Sequence, residues 1–120
     1  MKVRILGFSA IAASGLLIAG CKSPHVDVSV ENRTGAEVRL LEVDYPSASF
    51  GADMLAAGST MHYSIALQGQ GPVKVQYTAL DNSQSQIAGP AVSEGQAGKL
   101  EIVLLPQGKA EFHPDLHGGK

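Results

Sequence analysis

From Val26 onward, apolar and polar residues alternate with a period of two. Val26, Val28 and Val30 alternate with Asp27, Ser29 and Glu31, the pattern of a strand with one buried face. Asn32-Arg33-Thr34-Gly35 follows as a turn built on Asn and Gly; it also fits the N-glycosylation pattern, but a turn is the expected role. The second strand covers residues 38–45. There Val38 and Leu40 share one parity while Leu41, Val43 and Tyr45 share the other, so either a bulge near Leu40-Leu41 resets the inward face or the strand is buried on both faces. Residues 61–67 and 73–77 alternate again. Asp81-Asn82-Ser83 turns the chain, and residues 84–88 form a weak, polar strand suited to a sheet edge, with Gly89-Pro90 ending it. Residues 91–98 are expected as a loop. Leu100, Ile102 and Leu104 then alternate with Lys99, Glu101 and Val103. Leu105 makes that strand apolar on both faces at its end, which places it centrally, and Pro106 stops it.

Two stretches lack this pattern. Residues 46–58 are expected to be a long irregular crossover between sheets, with room for one helical turn over 53–57. Their apolar residues, Phe50, Met54 and Leu55, either cap the core or, in the case of Phe50 between Ser49 and Gly51, are presented to a partner. Phe50 and Met54 are the candidate partner-binding residues, since loops on a rigid scaffold commonly carry function. Residues 107–120 thin into Gly, His and Pro and are expected to be a flexible tail.

Six strands with turns about every ten residues, and no segment of helical period, predict an all-β antiparallel sandwich of six to seven strands. The layout resembles the immunoglobulin-like domains of bacterial envelope proteins. Tyr45, Tyr63 and Tyr77 are candidates for a corner role, hydrogen-bonding a loop backbone. A small closed barrel is the alternative.

The N-terminus obeys a different rule. Lys2 and Arg4 precede Ile5 to Gly20, a run without charge, which is the charged and apolar pairing of an export signal. The run is shorter than the roughly 20 residues that span a bilayer as a helix. It closes on Ile18-Ala19-Gly20-Cys21, an aliphatic residue, two small residues and the one cysteine of the chain. This resembles the lipobox of bacterial lipoproteins. The resemblance implies cleavage before Cys21 and a diacylglycerol on its sulfur. The alternatives are an uncleaved membrane helix or an ordinary cleaved signal. The expected organisation is a signal peptide over 1–20, a lipidated cysteine and short tether over 21–25, a sandwich over 26–106 and the tail. Lys22 stands where an aspartate would retain some lipoproteins in the inner membrane, so the resemblance implies the outer membrane, facing the periplasm.

Charge and composition narrow the function. Removing Lys2 and Arg4 from nine basic residues leaves seven against eleven acidic ones, a formal charge of −4. That argues against nucleic acid and against a polybasic lipid contact. With Cys21 lipidated, no thiol remains for redox chemistry. There is no Gly-x-Ser-x-Gly elbow, His-Glu-x-x-His helix or phosphate loop, so no enzyme and no cofactor is expected. His113 and His117, with Glu111 and Asp115 nearby, are weak candidates for metal ligands, although Pro114 disfavours the helix that would align them. The expected function is a lipid-anchored, non-catalytic binding or structural module whose partners are the membrane, through Cys21, and another envelope protein. The alternative is a small-ligand or metal binder using the sandwich end or the tail.

Overall fold

Strand β1 (Val26–Asn32) turns Val26, Val28 and Val30 inward and Asp27, Ser29 and Glu31 outward, as its alternation requires. In the computed structural model, residues 23–119 are described; the expected signal peptide, 1–20, and Cys21 lie outside them. Seven more strands follow: β2 (Val38–Tyr45), β3 (Ala48–Leu55), β4 (Thr60–Ile65), β5 (Gln70–Thr78), β6 (Gln84–Ser93), β7 (Gln96–Leu105) and β8 (Lys109–Gly118). A single 3₁₀ turn, Pro106–Gly108, joins the last two. The strands form two four-stranded sheets, ordered β4-β1-β7-β8 and β3-β2-β5-β6. Their inner faces share one apolar core, with Leu100, Ile102 and Leu104 from the first sheet against Leu41, Val43 and Val75 from the second.

All neighbouring strands run antiparallel except β1 and β7, which are parallel. The sheets are thus antiparallel in the main, as expected, with one parallel pair, and the reason is parity. Each connection reverses the chain, so odd-numbered strands run one way and even-numbered strands the other. β1 and β7 are the one neighbouring pair of equal parity.

The kink expected in β2 is present. Pairing with β5 shifts register between Arg39 and Glu42, and Leu40 adopts a left-handed backbone, φ 50°. The extra residue leaves Leu40 65% exposed while Leu41 is buried, which excludes the alternative of a strand buried on both faces.

Three expectations need correction. Residues 46–58 are not a crossover loop and hold no helical turn: Pro46-Ser47 makes a two-residue turn and β3 pairs back on β2, Val43 opposite Phe50 and Val38 opposite Leu55. Only Phe50 and Leu55 of β3 are buried, so the strand is set by its neighbour rather than by its own alternation. Gly51 permits the approach, since a Cβ there would run into the carbonyl oxygen of Leu41. Second, β6 runs through Gly89-Pro90 to Ser93. It is an edge strand, where a proline removes no ladder hydrogen bond if its nitrogen faces outward. The 91–98 loop accordingly shrinks to a turn at Glu94-Gly95. Third, residues 109–118 of the expected flexible tail form β8, paired over ten residues with β7. Ala110, Phe112 and Leu116 of β8 pack on the core, and Pro114 is again tolerated at an edge.

The edges of the two sheets approach each other on both sides of the core. On one side Phe112 of β8 lies over Gly89 of β6, where a Cβ would stand 2.5 Å from the ring. On the other, Phe50 of β3 stacks on Tyr63 of β4 with ring centroids 4.6 Å apart. Replacing Gly89 by Ala is expected to destabilise the fold by about 1–3 kcal/mol through overpacking. Adding Phe112→Ala should recover part of that loss, because the clash disappears with the ring. Urea denaturation of the two single variants and the double variant checks this; strictly additive losses would show that the two edges do not touch.

Candidate functional site

The strand directions place the connections at two ends. The chain enters β1 beside Gly98, and the end of β8 lies beside Gln96. Both termini of the domain therefore share one end, with the 46–47, 66–69 and 94–95 connections. The opposite end carries 33–37, 56–59, 79–83 and 106–108.

Asn32 anchors this loop end. It is 0% exposed, and its side chain is fully used. Nδ2 donates to the carbonyls of Ala36 (2.8 Å) and Leu55 (2.9 Å), and Oδ1 accepts from the backbone N–H (3.0 Å) and hydroxyl (2.8 Å) of Thr34. Its backbone N–H donates to Ser59 and its carbonyl accepts from Gly58, while Arg33 N–H donates to Leu104. A buried amide so engaged holds the turn and leaves no room for a glycan. The 79–83 turn has its own support: Asp81 Oδ1 accepts from Ser83 N (2.9 Å) and Ser83 Oγ (2.6 Å). Those bonds hold the Asp81 carboxyl below its ordinary range.

Between the 33–37, 79–83 and 106–108 segments lies a groove of about 410 Å³. Leu80, Leu105 and Pro106 supply apolar wall, Glu37 and Asp81 the charge, and the buried Tyr77 also lines it. Two non-glycine residues at this end, Asn82 (φ 70°) and Gln107 (φ 66°), hold left-handed backbone, a conformation that costs about 1–2 kcal/mol in residues with a side chain. Tyr77 is 5% exposed, and its hydroxyl has no hydrogen-bond partner among the described residues. The same holds for Tyr45 and Tyr63, so none of the three candidates makes a corner hydrogen bond among the described residues. Tyr45 and Tyr63 flank Phe50 instead.

The candidate partner-binding residues separate. Phe50 is 7% exposed and belongs to the core, whereas Met54, 56% exposed, stands on the outer side of edge strand β3. His113 and His117 project from the same side of β8, four residues apart. At about 3.3 Å per residue their backbones are ~13 Å apart, too far for one ion to bridge both side chains closely. Among the described residues no group of three or more His, Cys, Asp or Glu is placed to hold a metal. His113 instead lies 3.3 Å from Glu111, in a row that the strand registers set across the outer face: His62, Ser29, Glu101, His113. The next row, Asp27, Lys99 and Asp115, mixes both signs, as a solvated face does.

The outer face of the second sheet holds an acidic pair on β2. Burial, then the neighbouring Glu42, raises the Asp44 carboxyl, while Lys74 opposite it pulls the other way. Glu42 is lowered by hydrogen bonds with Asp44 and with Gln76, whose Nε2 donates at 2.9 Å. The two carboxyls thus favour a proton on Asp44.

Neither a protein-family profile nor a curated protein sequence matches the chain. A solved NMR structure of a protein from Eubacterium rectale is similar in fold, with a TM-score of 0.54 over 74% of this chain and 86% of that one. Its sequence identity is 11%, so the likeness concerns the fold alone.

The loop-end groove was only partly legible in the sequence. The turn signals at 32–35 and 81–83 and the stop at Pro106 were visible. That they converge follows from strand order, which no local pattern carries.

The raised Asp44 gives a pH test. Its protonated form is favoured in the fold, so that contribution is full below the ordinary carboxylate range and is lost as pH rises through the raised value. Asp44→Asn cannot ionise and keeps a donor facing Glu42. It should melt like the parent protein near pH 3 and at a higher temperature than the parent near pH 7, about three units above the usual aspartate value. Circular dichroism melts across that range check it; a lower melting temperature at pH 7 would contradict the proposed sharing of the proton.

Proposed function

We propose that the protein is a lipid-anchored lipoprotein of the bacterial cell envelope, cut before Cys21 and held by lipid on its sulfur. Its domain, 26–118, is a non-catalytic binding module, read as an immunoglobulin-like sandwich. The supporting sequence is the charged start, the apolar run and Ile18-Ala19-Gly20-Cys21. Two or three acyl chains are needed for stable anchoring, because each buried methylene contributes only about 0.8 kcal/mol.

The observation that carries the binding reading is the placement of both domain termini at one end. A domain tethered from Cys21 over the four residues 22–25 stands within about 13 Å of its anchor. Its loop end then faces away from the bilayer, with four connections and the groove exposed to the periplasm. The mature charge of −4 keeps it off anionic lipid and nucleic acid. Lys22 directs it to the outer membrane, with an envelope protein or a small ligand as its contact. The hydroxyls of Thr34 and Ser83 serve the turns at this end.

Cys21→Ser tests the anchor. The variant should no longer incorporate labelled palmitate and should move from the membrane pellet to the soluble fraction. Full retention in the pellet would overturn the reading.

A further inference from the structure

The groove at the loop end has a chemistry of its own, and its use as a binding site rests on the module reading above. Tyr77 supplies the first constraint. A buried hydroxyl without a partner is rare in folded proteins, since each such group forfeits the hydrogen bond it had with water. Tyr77 is inward-facing on β5, and it lines the groove together with Ser85, its partner across β6. Tyr77 also lines an adjoining hollow with Leu40, Glu42 and Gln86, but of the two only this groove brings two carboxylates beside it.

The second constraint is charge. Glu37 and Asp81 are the ionisable carboxylates of the lining, and no Lys, Arg or His lines it. Asp81 is kept ionised by Ser83 and makes no ion pair among the described residues. Glu37 meets Arg39 through one exposed contact of 3.3 Å, a weak pairing in water that leaves its other oxygen free. Hydroxyl and amide oxygens of Ser85, Gln84 and Gln107 add further acceptors. The third constraint is shape: Leu80, Leu105 and Pro106 form an apolar wall beside these acceptors, and Leu80 is half exposed. An anion would meet only like charge here. A cationic N–H donor on a short aliphatic chain fits all three constraints, its methylenes against the wall and its head among the oxygens.

We propose that this groove binds an amine or guanidinium group carried on an aliphatic chain, with Tyr77 Oη, Glu37 and Asp81 as its acceptors. The same chemistry comes from two sources: a free diamine-like small molecule, or a Lys or Arg side chain of a partner protein.

The experiment is a ¹⁵N–¹H NMR titration of the full-length chain in neutral detergent. The probes are agmatine and an end-blocked pentapeptide alternating Gly with Lys and Arg; succinate and 1,4-butanediol are the controls. Either cationic probe should give saturable shifts at the amides of Tyr77, Ser85 and Gln107, and the controls none. Tyr77→Phe and Glu37→Gln should each weaken binding about fivefold to tenfold, the effect of one lost hydrogen bond or charge. If Tyr77→Phe fails to fold, as judged by its own spectrum, Glu37→Gln and Ser85→Ala decide the matter. Tighter binding of agmatine names a small molecule as the source; tighter binding of the peptide names a partner protein. The proposal is overturned if neither cationic probe saturates by about 10 mM, beyond the range of a specific weak site. It is also overturned if shifts occur only on the outer face around Glu101 and Glu111, if succinate produces the same shifts, or if the folded variants bind unchanged. Membrane release of Cys21→Ser is read separately, so failure of the groove and failure of the anchor are distinguishable.

Discussion

The loop end depends on one side chain, the amide of Asn32. It sits at the last residue of β1, where the chain leaves one sheet for the other. There it donates to Ala36 near the end of the crossing and to Leu55 at the end of β3, and it accepts twice from Thr34. No other common side chain of this size offers two donors and an acceptor in that geometry: aspartate lacks the donors and leucine lacks both. In a low-dielectric site a fully satisfied amide fixes its neighbours, while a half-satisfied one is costly. The buried amide thereby converts a Gly-containing turn into a rigid joint, and the backbone bonds of Asn32 and Arg33 extend that joint to the 56–59 turn and to β7. The groove is built on this joint, with Thr34 and Ala36 in its wall.

The sides of the fold are closed by a different device. Two open sheets expose four edges, each a row of unpaired backbone groups that invites another strand. Here β6 and β8 carry Pro90 and Pro114, which cannot donate at those positions. A ring covers each flank as well, Phe112 over Gly89 on one side and Phe50 against Tyr63 on the other. Two aromatic contacts thus do for the flanks what Asn32 does for the loop end. The flank formed by β3 and β4 has no proline in either strand. Its exposed Met54 and half-exposed Tyr63 make it the more apolar of the two.

How far the chain could be read in advance follows from which residues carry their own signal. β1, β5 and β7 have a buried face of Val, Ile, Leu and Tyr, and their alternation is unmistakable. The β2 bulge was visible as a change of parity at Leu40-Leu41. β3 was hidden because it buries only two side chains and fills the rest with Ser, Gly, Ala, Asp and an exposed Met; its strand state is imposed by β2, as tertiary context often overrides propensity. β8 was different. Ala110, Phe112, Pro114 and Leu116 do alternate with Glu111, His113, Asp115 and His117. The period-two signal was present, but Pro, Gly and His disguised it as a tail. Tyr77 could be named from the sequence but not placed, because its importance is the absence of a partner, and partners are set by the packing of distant segments.

That misread strand alters more than the count. With seven strands the chain would leave the domain at the loop end, because each connection reverses direction. The C-terminus would then emerge beside the 106–108 turn, across the mouth of the groove. An eighth strand brings the terminus back beside Gln96, at the end where the chain enters β1. An even number of strands is therefore the condition for a domain held from one end to present the other without obstruction. It is met here by a strand of marginal composition, Pro and Gly included, which is stable because β7 offers ten residues of register and the core accepts Phe112 and Leu116. The anchor reading and the groove reading, which come from opposite ends of the chain, are joined by that parity.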